Sequence, residues 1–108
     1  MNLNDLAVAC HETAKEKGFW DREPDIDFIL SKLALIHSEA SETLEALRKE
    51  KGDQEVFEEC ADILIRLLDF VEGLKSTGWV DKSMSFEDVV RYKMNKNSSR
   101  PRKHGNLA

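Results

Sequence analysis

Two long segments in which apolar residues return every three or four positions, divided by a single Lys51-Gly52 break, leave this chain few options besides a helical hairpin within a bundle. In the first, Ile26, Ile29, Leu30, Leu33, Ile36, Ala40, Leu44 and Leu47 form the stripe. Pro24 or Asp25 suits its first turn, and Lys51-Gly52 gives it a basic end and a stop. In the second, Asp53 is the expected N-cap, and Val56, Phe57, Cys60, Ile63, Leu64, Leu67, Leu68, Val71 and Leu74 cover nearly half the circumference. A stripe that wide predicts packing on two sides, against the chain's own domain and against a second subunit.

Shorter helices flank the pair. Leu3, Leu6, Ala7, Cys10 and Ala14 mark one that Asn2 or Asn4 caps and Gly18 ends. Ser85-Phe86-Glu87-Asp88 reads as a cap with an acidic residue three places on, starting another that runs to about Asn95 or Asn97. No repeat or strand-like alternation of useful length is present. The expected fold is all-α: a helical bundle with two long central antiparallel helices, completed by assembly into a homodimer or homotetramer. Residues 1–97 form its single domain and 98–108 a basic polar tail.

Composition narrows the functional classes. A chain of 108 residues builds one compact domain, and a net charge of -5 argues against a nucleic-acid polymer or an anionic membrane as partner. Cys10 and Cys60 lie in helical patterns without zinc-ligand spacing and read as reduced thiols. The N-terminal segment has acidic residues and no long apolar run, so the expected location is cytoplasmic.

An acidic chain suits a cation, and the carboxylates are arranged for one. Glu39 and Glu42 lie one turn apart on one face of the first long helix, nearly opposite its stripe but beside Leu35 and Ala46. Glu59 and Asp62 repeat the spacing on the polar strip of the second, with Arg66 four residues beyond. An antiparallel hairpin places the pairs at comparable distances from Gly52. Four converging carboxylates repel unless protons or a divalent cation neutralise them; magnesium, with manganese as a substitute, is the hard cation that bridges carboxylates to phosphates. A di-iron site would pair each Glu with a His three residues on, which neither pair supplies. Spacing alone leaves a solvated acidic face, or an Asp62–Arg66 ion pair, as the competing explanation. On the last helix Lys93 and Asn97 continue the face of Phe86, Val89 and Val90, where a polyphosphate would satisfy them and where snorkelling is the alternative.

Taken together, Leu35-Ile36-His37-Ser38-Glu39-Ala40-Ser41-Glu42, Glu59-Cys60-Ala61-Asp62 and the run from Lys93 through Asn97, Arg100, Pro101 and His104 to Gly105 resemble the MazG-like all-α nucleoside triphosphate pyrophosphohydrolases. The likeness also touches Gly18-Phe19-Trp20-Asp21 and so spans nearly the whole chain. It implies hydrolysis of a nucleoside triphosphate to monophosphate and pyrophosphate by an oligomer. Glu39, Glu42, Glu59 and Asp62 would hold the metal and supply the catalytic carboxylates. Lys93 and Asn97 would bind phosphate or sugar, Arg100 and His104 would belong to a tail closing over the nucleotide, and Trp20 would stack on a base or sit in the core or an interface. The competing functions are a non-catalytic helical interaction or nucleotide-binding module and hydrolysis of another pyrophosphate, such as an alarmone or a nucleotide sugar. Base and sugar preference are not readable from these residues.

Overall fold

The computed structural model describes residues 1–102, which contain four helices and no strand: α1 (Leu3–Glu16), α2 (Ile26–Arg48), α3 (Asp53–Ser76) and α4 (Phe86–Ser98). The boundaries follow from local chemistry. Asn2, Asp25 and Ser85 each accept a hydrogen bond from the backbone N–H three residues on, satisfying a donor that the first helical turn leaves orphaned. The third N-terminus differs from expectation. Gly52, at φ 97°, is the N-cap and provides no side-chain bond, while Asp53 is already helical. A turn this tight between the long helices needs the left-handed conformation that glycine adopts without strain.

The long helices pack on each other, and α1 packs across α3. The side of α2 turned inward shares only Ile29 and Ile36 with the stripe marked out by periodicity. Phe28, Ile29, Lys32 and Ala46 are buried and Leu35, Ile36, Glu39 and Thr43 half-buried, whereas Ile26, Leu30, Leu33, Ala40, Leu44 and Leu47 are exposed. On α3, Phe57 is 77% exposed and Leu64 45%. The hairpin thus closes over a mixed face, in which Lys32, Glu39, Arg66 and Asp69 lie among Phe28, Ile29, Leu67 and Leu68, and leaves part of the apolar surface of α2 outside.

Those partners form a buried knot. Asp69 of α3 accepts hydrogen bonds at one oxygen from Trp20 Nε1–H and from His11 Nδ1, each at 2.9 Å. The far nitrogen of His11 meets the Ser76 hydroxyl at 3.1 Å. Lys32 of α2 donates to the Phe19 carbonyl and holds its ammonium 4.8–5.5 Å from the ring centres of Trp20, Phe28 and Phe19. Burial pulls the Lys32 pKa down, the Asp69 carboxylate pushes it back up, and Arg66 adds a smaller lowering.

The first and last helices join through their N-termini. Glu87 accepts from the Leu3 backbone N–H at 2.9 Å, and Asn4 accepts from the Glu87 backbone N–H at 3.1 Å while donating to Ser85 Oγ at 2.9 Å. Each helix thereby satisfies the other's orphan donors.

Trp20 reaches its place because residue 73 is glycine: a Cβ there would overlap the indole. Gly73→Ala is therefore expected to destabilise the fold by about 2 kcal/mol through overpacking, despite a gain of about 1 kcal/mol in helix propensity. Urea unfolding followed by circular dichroism measures the difference; equal or greater stability in the variant would mean that the indole is free to move away.

Candidate metal centre and adjoining cleft

The hairpin brings carboxylates from both long helices together. One oxygen each from Glu39, Glu59 and Asp62 lies within 4.8 Å of the others, a spacing at which a single divalent cation can reach all three. Glu42 is exposed and outside this group, yet close enough for its charge to act on Glu59. Arg66 does not pair with Asp62 as its i, i+4 spacing allowed. Its Nε lies 3.5 Å from Glu39 Oε1, and its guanidinium sits 5.7 Å from the Phe19 ring centre. A cross-helix partner is held by the packing of both helices, whereas an exposed intrahelical pair gains little.

Glu59 carries the signature of crowding. Loss of hydration raises its pKa most, followed by the charges of Asp62, Glu42, Glu39 and Glu55. A raised native pKa means that folding takes up a proton at this group. Its favourable contribution is present at low pH and is lost as pH climbs through the raised value. A divalent cation removes the same repulsion by substituting its charge for the proton.

Beside the carboxylates opens a cleft of about 480 Å³ between α1 and α3, with Phe19 at one wall. Ala9, Cys10, Thr13, Ala14 and Lys17 line it from α1, Glu39 from α2, and Asp62, Ile65, Arg66 and Asp69 from α3. Its volume falls within the range of small-molecule sites, and it shares Glu39 and Asp62 with the metal-ligand group. Burial, and then the Asp69 charge, push the Cys10 thiol up.

The remaining sequence candidates sit elsewhere. Trp20 is packed edge-on against His11 and Phe28 and tied to Asp69; its neighbour Phe19, not the indole, lines the cleft. Lys93 is exposed, so of the expected inward pair only the half-buried Asn97 turns in, with Oδ1 sealed from solvent and unpartnered among the described residues. Arg100 is half-buried, and neither it, Lys93 nor Asn97 lines the cleft. His104 lies outside the described residues. Lys17, Phe19 and Asp69 were missed by sequence reasoning. Asp69 falls seven residues after Asp62, on the same face of α3, which is the one signal that places it near the carboxylates.

The domain profile described as "MazG nucleotide pyrophosphohydrolase domain" matches residues 28–104, most of the chain. The chain belongs to this family. No curated protein and no solved structure matched it. The MazG domain accounts for an acidic group shared by two helices, and nucleotide pyrophosphohydrolysis is the activity that membership implies. Among the described residues of this MazG chain no helix is long and apolar enough to cross a membrane.

Glu59→Gln is expected to raise the thermal midpoint of metal-free protein at pH 7 by relieving repulsion, and to leave it nearly unchanged at pH 4, where the proton already does so. Melting curves across that range test this; an equal shift at both pH values would locate the effect in packing and not in charge.

Proposed function

We propose that this protein hydrolyses nucleoside triphosphates between the α- and β-phosphates, giving the monophosphate and pyrophosphate, with magnesium or manganese as cofactor. The observation that carries the reading is the convergence of Glu39, Glu59 and Asp62 beside a cleft that also presents Lys17 and Arg66, in a chain whose family is nucleotide pyrophosphohydrolases.

In this reading Glu39, Glu42, Glu59 and Asp62 would hold the metal, which when bound would supply charge neutralisation for the phosphates and activation of the attacking water. Water adds to the α-phosphorus as the bridging oxygen to the β-phosphate leaves, and a carboxylate of the set accepts the proton released. Lys17 and Arg66 offset charge on the leaving pyrophosphate. Lys93 makes no ion pair among the described residues and is assigned to the phosphates with Asn97, Arg100 and His104. The aliphatic face carrying Leu30, Leu44 and Phe57, at 53%, 51% and 77% exposure, is assigned to a second copy of the chain.

Incubation with a panel of triphosphates and Mg²⁺ is expected to release monophosphate and pyrophosphate, separated by ion-exchange chromatography. Orthophosphate and diphosphate as the products would overturn the assignment of the cleaved bond. Glu39→Gln and Asp62→Asn are each expected to lower kcat by about 100-fold or more; activity retained in both would remove these carboxylates from the mechanism. Light scattering is expected to give a mass above 12.4 kDa for the native chain and close to it for Leu44→Glu. A native monomer would refute the assembly.

A further inference from the structure

Asp69 leaves one of its oxygens without a partner. Oδ1 accepts from Trp20 and His11, while Oδ2 accepts no hydrogen bond among the described residues, although the side chain is only 9% exposed. Oδ2 is not sealed away, since Asn97 Oδ1 is the fully buried side-chain atom that lacks a partner. Asp69 is one of the residues lining the cleft, which is the cavity available to its unfilled oxygen. A buried carboxylate carries several acceptor sites, and a cavity in front of an unfilled one calls for an N–H or O–H donor.

The cleft has a direction. Asp62, Arg66 and Asp69 occupy one face of α3 at i, i+4 and i+7, so Asp69 lies about 10 Å along the axis from the metal-ligand group. α1 runs antiparallel to α3: His11 meets Asp69 and Ser76, while Phe19, beyond the C-terminus of α1, meets Arg66. Lys17 therefore stands toward the carboxylates, and Cys10 and Thr13 toward Asp69. The cationic end suits phosphates, and the far end, walled by Ala9, Cys10 and Thr13 with one fixed acceptor, suits the edge of a flat heterocycle.

We propose that Asp69 reads the nucleobase, selecting bases that carry an exocyclic amino group over uracil and thymine. This rests on the nucleotide reading of the site. Cytosine carries its amino donor at position 4, adenine at position 6 and guanine at position 2, beside the guanine N1–H; uracil and thymine have carbonyl oxygens on both sides of a single N3–H and would set at least one of them against a carboxylate that reaches that N–H. Trp20 and His11 keep the reading oxygen in place by holding its twin.

The test compares kcat/KM for dATP, dCTP, dGTP, dUTP and TTP with the wild-type protein and with Asp69→Asn. The amino-bearing substrates are expected to lead by about tenfold or more, since a site built around a hydrogen bond discriminates strongly against a ligand that leaves it unmade. In Asp69→Asn the amide oxygen can continue to accept from Trp20 and His11 while its NH₂ faces the cleft. The preference is expected to shift toward dUTP and TTP by about tenfold. Equal wild-type values for all five substrates overturn the proposal without any variant. A variant that loses rate uniformly, keeping the wild-type ratios, overturns it in favour of a structural role. Calorimetry with α,β-methylene analogues of the same nucleotides separates this idea from the activity. Selective binding of amino-bearing analogues without turnover of the substrates would sink the hydrolytic reading alone, and indiscriminate or absent binding would sink this one.

Discussion

A carboxylate and an ammonium, Asp69 and Lys32, are withdrawn from water on facing sides of the helical hairpin, at 6% and 7% exposure. Burying charge is costly unless the groups are hydrogen-bonded and opposed by charge of the other sign. Each requirement recruits another part of the chain. Trp20 and His11 satisfy Asp69, the Phe19 carbonyl satisfies Lys32, and three aromatic rings offer the ammonium their faces. The connector after α1 is thereby pinned to both long helices, and Phe19 is set at the mouth of the cleft. The polar knot fixes one arrangement of three elements where aliphatic packing alone would tolerate several.

The same constraint explains which way the hairpin faces. Had the helices met through Ile26, Leu30, Leu33 and Leu44, Glu39 would have pointed away from Glu59 and Asp62. Because the faces bearing Lys32, Glu39, Arg66 and Asp69 meet, the carboxylates converge and Leu30, Leu33 and Leu44 are left outside. Loss of hydration, and then mutual repulsion within the acidic group, push the Glu59 pKa up as the counterpart of that geometry, and a cation would relieve the repulsion.

Much of this was legible in the sequence. Helix number, approximate limits and two of the four caps followed from periodicity and from Asn2 and Ser85, while Asp25, expected in the first turn, is the cap of α2. The convergence of Glu39 with Glu59 and Asp62 followed from a symmetric hairpin about Gly52. The inner face of α2 did not, because hydropathy ranks Leu44 above Thr43 or Glu39 whatever either one contacts. His11, Lys32 and Asp69 were invisible for a related reason. Apart from the seven-residue spacing of Asp69 from Asp62 nothing in the pattern marks them, and their burial depends on partners up to 65 residues away in the chain. Lys93 shows the converse error: its place on an apolar wheel suggested burial, but α4 is touched chiefly by α1 and residues 91–96 are exposed.

The exchange of N-terminal bonds between α1 and α4 spans 81–84 residues of sequence. During synthesis the first helix emerges long before Ser85 and Glu87 exist, so its leading turn waits, open to fraying, until the last helix has left the ribosome. The two ends of the chain close the molecule together, and long-range closures of this kind slow folding more than they add to stability. A released chain that ended before Ser85 would keep the Asn2 cap of α1 but leave the Leu3 backbone N–H without the Glu87 carboxylate.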